Sequence, residues 1–204
     1  LTWLVAASSE MLDRDIVRGV LGCPVCHAEY PITEGIADFR SGVTAGHGRH
    51  VARREHDVDS ETLRLAALLD LSSPGGFVVL TGQWATCAAT LSMRAERVHV
   101  LVMDPVDHAK VTSGDRISVA LTAGQLPLQP GSARGIALDA PYAAPGQLAA
   151  AAEALRGLGR LVAPASALVP QGMRELARDA RHWVAERDIA PGPLLSITLG
   201  RAEA

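Results

Sequence analysis

The sequence predicts an α/β fold: a mostly parallel sheet with helices on both faces, preceded by a small unit of one helix and a β-hairpin. Three observations carry that expectation. From residue 61 onward short apolar runs alternate with amphipathic stretches, which argues for strands joined by crossover helices. The apolar runs are continuous, as in "GFVVLTG" at 76–82, and a continuous run marks a strand buried on both faces. The first forty residues follow a different pattern and are set apart by a polar, Gly-rich stretch, "SGVTAGHGRHVARREHDVDS", at 41–60. The predicted organisation is a small unit over 1–40, a linker over 41–60 and an α/β domain over 61–204.

Each element has its own signal. In the first unit, Ser8 or Ser9 serves as a helix N-cap with acids in the first turn, and Leu12, Ile16, Val17, Val20 and Leu21 recur at helical spacing. Two short strands follow, "EYPI" and "GIADF", with Gly35 at the turn between them. In the second unit "ETLRLAALLDL" is a short amphipathic helix and "GFVVLTG" the first buried strand. "WATCAATLSMRA" is a helix, "VHVLVMD" a strand ending in Asp104, "ISVALTA" and "ARGIALDAP" two more strands. "PGQLAAAAEALRGL" is an Ala-rich helix leading into the strand "GRLVAPA". "QGMRELARDARHWVAERD" is predicted as a longer helix with Met173, Leu176, Ala180 and Trp183 near one face, and "GPLLSITLGR" as a final strand.

Composition bounds the function classes. Of 204 residues 48% are hydrophobic and 20% charged, which supports a packed core rather than wholesale disorder. Aromatics are only 3%, so the base-stacking platforms used by single-strand binders are nearly missing. A net charge of −3 gives no electrostatic footprint for nucleic acid or an anionic membrane. The apolar start "LTWLVAASSE" has no basic leader and is far too short to span a bilayer, and no apolar run reaches transmembrane length without a charge. Three cysteines do not make a disulfide framework and fit a reducing compartment. The expectation is a soluble, cytoplasmic protein without nucleic-acid partners or a transmembrane segment.

The Cys-x-x-Cys pair, Cys23 and Cys26, followed by His27, is the first chemical candidate. A structural zinc site takes four ligands, usually two such knuckles, and here there is one; Cys87 lies in the other domain, and the histidines of the linker, His47, His50 and His56, are irregularly spaced. Covalent haem attachment asks for Cys-x-x-Cys-His, which "CPVCH" satisfies formally, yet an αβ chain without a leader does not suit a cytochrome. A redox pair of the thioredoxin kind would follow a strand at a helix start, whereas here a helix is expected before the knuckle.

The segment "LGCPVCHAEYPITEGIADF" resembles the small zinc-ribbon proteins that serve as activator subunits of tRNA and protein methyltransferases. Tyr30, Pro31, Ile32, Glu34, Gly35 and Ile36 carry the likeness. The resemblance covers about thirty residues and implies a truncated ribbon: the loop between the two knuckles is missing, and with it two of four ligands, so that Cys23 and Cys26 are what remains of a zinc site.

Residues 61–204 resemble the class I S-adenosylmethionine-dependent methyltransferases, whose sheet is Rossmann-like. "GGFVVLTGQWA" stands where that family has its first strand and Gly-rich turn, "AGQLPLQPGSARGIALDAP" where it has an acidic segment and fourth strand, and "EALRGLGRLVAP" where it has a helix end and fifth strand. In a doubly wound sheet a nucleotide-type cofactor binds at the carboxyl ends of the strands, with glycines after the first strand and an acid at the end of the second. The resemblance implies Gly82 for the turn, Asp104, twenty-two residues on, for the ribose, and Gln125 near the adenine, with Ala123 or Gly124 as its neighbours in that role. The departures fall on these positions. One glycine of the turn is kept, Trp84 is expected to put an indole where the cofactor should approach, and the later acid is replaced around Ala133, Arg134 and Gly135. No catalytic residue is assigned; Asp139, Tyr142 and His108 are the nearest candidate bases, each expected as a solvated loop residue, while Cys87 is expected as a small buried residue and His182 with Trp183 on a helix face against the sheet.

The resulting expectation is a methyltransferase-like pseudoenzyme that serves as a structural or binding subunit of a larger protein assembly, with another protein as its partner and no resident cofactor. The alternative is an active, divergent S-adenosylmethionine-dependent methyltransferase on a small molecule or lipid-like substrate. A third reading is a small metal- or haem-binding module using Cys23 and Cys26.

Overall fold

The computed structural model describes residues 3–40, 58–106 and 111–188. These build one eleven-stranded sheet with three α-helices. The strands are β1 (Val5–Leu12), β2 (Asp15–Gly22), β3 (Glu29–Thr33), β4 (Ile36–Asp38), β5 (Phe77–Thr81), β6 (His99–Met103), β7 (Ile117–Leu121), β8 (Ala133–Ala137), β9 (Leu155–Pro164), β10 (Met173–Arg178) and β11 (His182–Arg187). The helices are α1 (Val58–Leu68), α2 (Ala88–Arg94) and α3 (Pro145–Ala154). Their order across the sheet is β1-β2-β3-β4-β7-β6-β5-β8-β9-β11-β10.

The sheet is mixed, which corrects the expectation of a mostly parallel one. The run from β4 to β9 is parallel, and the pairs outside it are antiparallel. Two segments expected as helices account for the difference. Residues 5–22 form a hairpin, with Leu12 paired to Asp15 across an Asp13–Arg14 turn whose Asp13 lies at φ 55. Ile16, Val17 and Val20 favour extended backbone, and Gly19 and Gly22 weaken a helix over the same stretch. Residues 173–187 form a second hairpin, with Arg178 paired to Trp183. Its Met, Leu, Ala, Arg and Glu residues are good helix formers. Pairing of β11 with β9 buries Trp183, Val184 and Ala185 on both faces and overrides that preference. The Asp179 carboxylate fixes the turn by accepting the amides of Arg181 at 2.7 Å and His182 at 2.8 Å. Edge strand β10 is exposed and carries Arg174, Glu175 and Arg178, charges that discourage further pairing.

Period-two alternation along the central strands divides the core in two. Val78, Leu80, Val100, Val102 and Val162 pack against α1 and α2 through Leu65 and Leu91. Val79, Met103, Leu161 and Ala163 pack on the other face, against Leu148, Ala151 and Ala154 of α3. Helices therefore lie on both faces, as expected. The strands at 29–33 and 36–38 also form, joined by Glu34 (φ 53) and Gly35 (φ 75), a two-residue turn with both central residues left-handed. At Gly35 a side chain would also run into the Ser113 hydroxyl. Beyond that turn β4 pairs in parallel with β7, Ile36 opposite Val119 and Asp38 opposite Leu121, so the N-terminal unit and the α/β unit share one sheet. Most of the predicted linker and the strand predicted at 192–201 lie outside the described residues.

Candidate functional site

In the parallel core the chain runs outward from β5 to β6 to β7, then returns to the far side of β5 for β8 and β9. The direction of winding reverses between β5 and β8, and the crevice beyond the carboxyl ends of these strands is where a doubly wound sheet takes a ligand. Gly82, Asp104 and Asp139 all sit at this edge, Gly82 and Asp104 directly after β5 and β6 and Asp139 two residues past the end of β8. The structure thus brings two of the three predicted cofactor residues, Gly82 and Asp104, to one edge of the sheet.

What surrounds them is protein. Asp104 follows β6 with φ 42, a left-handed conformation that Asp tolerates better than most residues. Its Oδ1 accepts the Thr122 amide at 2.7 Å. Its Oδ2 accepts the Thr122 hydroxyl at 2.9 Å, the Gly124 amide at 3.1 Å and the Tyr142 hydroxyl. Four donors of the chain itself converge on this carboxylate, three on Oδ2 and one on Oδ1. Tyr142 is buried with only 4% of its surface exposed. Burial first, and the Asp104 carboxylate next, push its phenol well above the usual range, so it stays neutral and donates. Tyr142 is therefore a core residue holding Asp104, not the solvated loop residue that was expected.

The turn after β5 is closed in the same way. No Gly-rich loop forms; Gly82–Cys87 winds at once into a 3-10 helix, with Gly82 at φ 52. A Cβ on Gly82 would lie 2.5 Å from Asp139 Oδ2. Asp139 Oδ2 accepts the Gln83 amide at 3.0 Å, and Oδ1 accepts the Ala140 amide at 2.7 Å. Behind it the fully buried Thr81 hydroxyl donates to Ala137 O at 3.3 Å and accepts the Asp139 amide at 2.8 Å. These bonds lace β5 to β8 across the point where the winding reverses.

Trp84 corrects an expectation. Its indole does not stand in the crevice. It turns inward, 3% exposed, into the core beneath α1, where Nε1 donates to Leu138 O at 3.3 Å and the ring lies 5.0 Å from that of His182. It is the Asp139 carboxylate that covers the glycine. Gln125, the third predicted cofactor residue, is exposed, and its amide closes the Ala123–Gly124 turn onto Thr122 O at 3.2 Å. Arg134, on β8, is buried and donates to Ser73 O at 2.6 Å, Gly75 O at 2.8 Å and Ser73 Oγ at 2.8 Å, as well as to Asp70 O. It clamps the loop that feeds β5. Cys87 is buried, as expected, whereas His182 and Trp183 lie on β11 rather than on a helix. His108 lies outside the described residues, as do the linker histidines.

Sequence reasoning missed Thr122. The signal was available: adjacent parallel strands end side by side, with Met103 level with Ala120, which places the residues just past β7 next to Asp104.

The knuckle is a tight loop between β2 and β3. The Cys23 amide donates to Ala28 O and the His27 amide to Cys23 O, both at 2.9 Å. Among the described residues no three His, Cys, Asp or Glu side chains are grouped as a metal would need, and Cys23 and Cys26 supply two ligands of four. No described helix is long and apolar enough to cross a membrane.

No family model matches the chain, and no curated protein matches it. Among solved structures it is similar to a putative methyltransferase from an antibiotic biosynthesis pathway of Anabaena variabilis, at 14% identity and TM-score 0.42, over 52% of this chain and 44% of that one. It is similar to a putative S-adenosylmethionine-dependent methyltransferase of Methanococcus maripaludis at 8% identity and TM-score 0.43, over 72% of this chain and 100% of that one. A third likeness, 17% identical with TM-score 0.40, is to a complex of the Haloferax volcanii Trm112 methyltransferase activator and a putative methyltransferase, over 50% of each chain. This chain thus covers less than half of the first of these structures.

Proposed function

We propose that this chain is a non-catalytic, methyltransferase-like protein that acts as a structural or binding subunit of a larger protein assembly. One observation carries the reading: the crevice at the carboxyl ends of β5, β6 and β8 is filled by the chain's own hydrogen bonds. Asp104, the residue implied for a ribose, is met by Thr122, Gly124 and Tyr142, and Gly82, the residue implied for cofactor approach, is covered by Asp139. A ribose would have to compete with donors that the folded chain already supplies, three of them on Oδ2. Residues 1–40 act as a zinc-ribbon-like segment that has joined the sheet through β4 and β7, in support of which the "YPITEGI" stretch builds its hairpin and docks on Ser113.

The test is thermal melting of the purified chain with S-adenosylhomocysteine, the spent cofactor. A site saturated at 100-fold over its Kd would add about 2.7 kcal/mol, or roughly 5–11 °C for a chain of this size. The reading predicts no shift at millimolar ligand. A shift of that size returns the chain to the class of active methyltransferases on a small-molecule or lipid-like substrate.

A further inference from the structure

The loop between β2 and β3 holds two cysteines that the crevice does not use. Gly22 and Glu29 are paired in the ladder, so the six residues between them double back sharply. The Cys23–Ala28 and His27–Cys23 backbone bonds close the loop, with His27 at φ 57. Cys23 and Cys26 lie three residues apart inside this closed loop. Hydrogen bonding within the loop, from the Cys26 backbone first, holds the Cys23 thiol below its ordinary value. Cys26 is exposed and Cys23 half-buried, whereas Cys87 is buried. Beside them an open pocket of about 250 Å³ is lined by Val5, Gly22, Cys23, Pro24, His27 and Glu29.

The sequence alone argues against a redox pair because a helix is expected ahead of the knuckle. In the structure a strand, β2, precedes the knuckle instead of a helix, and a second strand, β3, follows it, so the pair sits in a β-hairpin loop and not at a helix start. A closed metal site needs two more ligands than this loop offers.

We infer that Cys23 and Cys26 form a reversible intrachain disulfide by exchange with a low-molecular-weight disulfide of the oxidised-glutathione class. The Cys23 thiolate attacks one sulfur of the small disulfide; a Cys23–S–S–R bond forms and one thiolate leaves. Cys26 gives its proton to solvent, its sulfur attacks the Cys23 sulfur, and the second small thiolate leaves. The two cysteines together lose two electrons and two protons, and the small disulfide is reduced to two thiols. A Cys23 thiol below its ordinary value is also the better leaving group on reduction.

The test uses the full chain, reduced, desalted and equilibrated with buffers of oxidised and reduced glutathione. Free thiols are then alkylated and the protein mapped by mass spectrometry. The expected product has lost two hydrogens, yields a Cys23–Cys26 linked peptide, and leaves Cys87 to be alkylated only after unfolding. In Cys26→Ser the reaction stops at a glutathione adduct on Cys23. In Cys23→Ser the adduct on Cys26 forms more slowly than the adduct on Cys23 forms in Cys26→Ser, because hydrogen bonding within the loop favours the Cys23 thiolate. Glutathione adducts on both cysteines of the wild type with no linked peptide would overturn the inference. So would equal adduct rates in the two variants, or one equivalent of zinc in the purified chain shielding both thiols.

Discussion

Tyr142→Phe removes one oxygen from the centre of the crevice and nothing else. The ring stays in the buried cluster it shares with Met103, Leu138 and Leu148, so no cavity opens. What is lost is the phenol's bond to Asp104, one of four donors on that carboxylate. A hydrogen bond to a charged acceptor contributes about 1.5–3 kcal/mol. Asp104 keeps three donors and gains access to water, which places the expected loss near 2 kcal/mol. For a chain of this length that is a fall in Tm of roughly 4–8 °C. Urea unfolding followed by the fluorescence of buried Trp84 and Trp183 measures the same quantity directly. A double-mutant cycle with Asp104→Asn isolates the pair, and the expected coupling is about 1–2 kcal/mol. A loss below about 0.5 kcal/mol, or the same loss with and without Asp104, would refute the claim that Tyr142 holds this carboxylate.

Arg134→Met keeps the bulk at this β8 position but strands the Ser73 and Gly75 carbonyls, and is expected to cost about 3 kcal/mol in urea unfolding. Gly82→Ala drives a methyl to within 2.5 Å of Asp139 Oδ2 at a left-handed φ, and is expected to cost about 1–3 kcal/mol. Stability should also fall on acidification. Burial first, and the Arg64 and Arg181 guanidiniums next, outweigh Asp179 and Glu61 and lower the His182 pKa from its ordinary 6.5. The unfolded chain therefore binds the proton more readily. Stability is full above about pH 6.5 and declines as pH falls towards the folded value, and His182→Phe should flatten that part of the pH profile.

The parallel core was legible because its strands are buried on both faces: "FVVLT", "HVLVM" and "LVAP" admit little else between their glycines and polar turns. The Glu34–Gly35 turn was legible for a local reason as well, since its two residues carry the whole conformational demand. The hairpins at 5–22 and 173–187 were not. Their residues have good helical spacing or propensity, and what makes them strands is pairing with chain elsewhere, such as β11 on β9. The crevice was half legible. Gly82 and Asp104 fall where winding and spacing put them. That Asp139 covers Gly82 depends on a contact 57 residues apart in sequence, and that Trp84 turns inward depends on which side of the 3-10 turn meets the core.

The claim that the crevice is closed by the chain itself is tested most directly by calorimetric titration of the wild-type protein with S-adenosylhomocysteine. The closed crevice predicts no heat of binding up to millimolar ligand. Saturable micromolar binding that disappears in Asp104→Ala would contradict it, because a ribose would then be reaching a carboxylate that Thr122, Gly124 and Tyr142 are held to occupy.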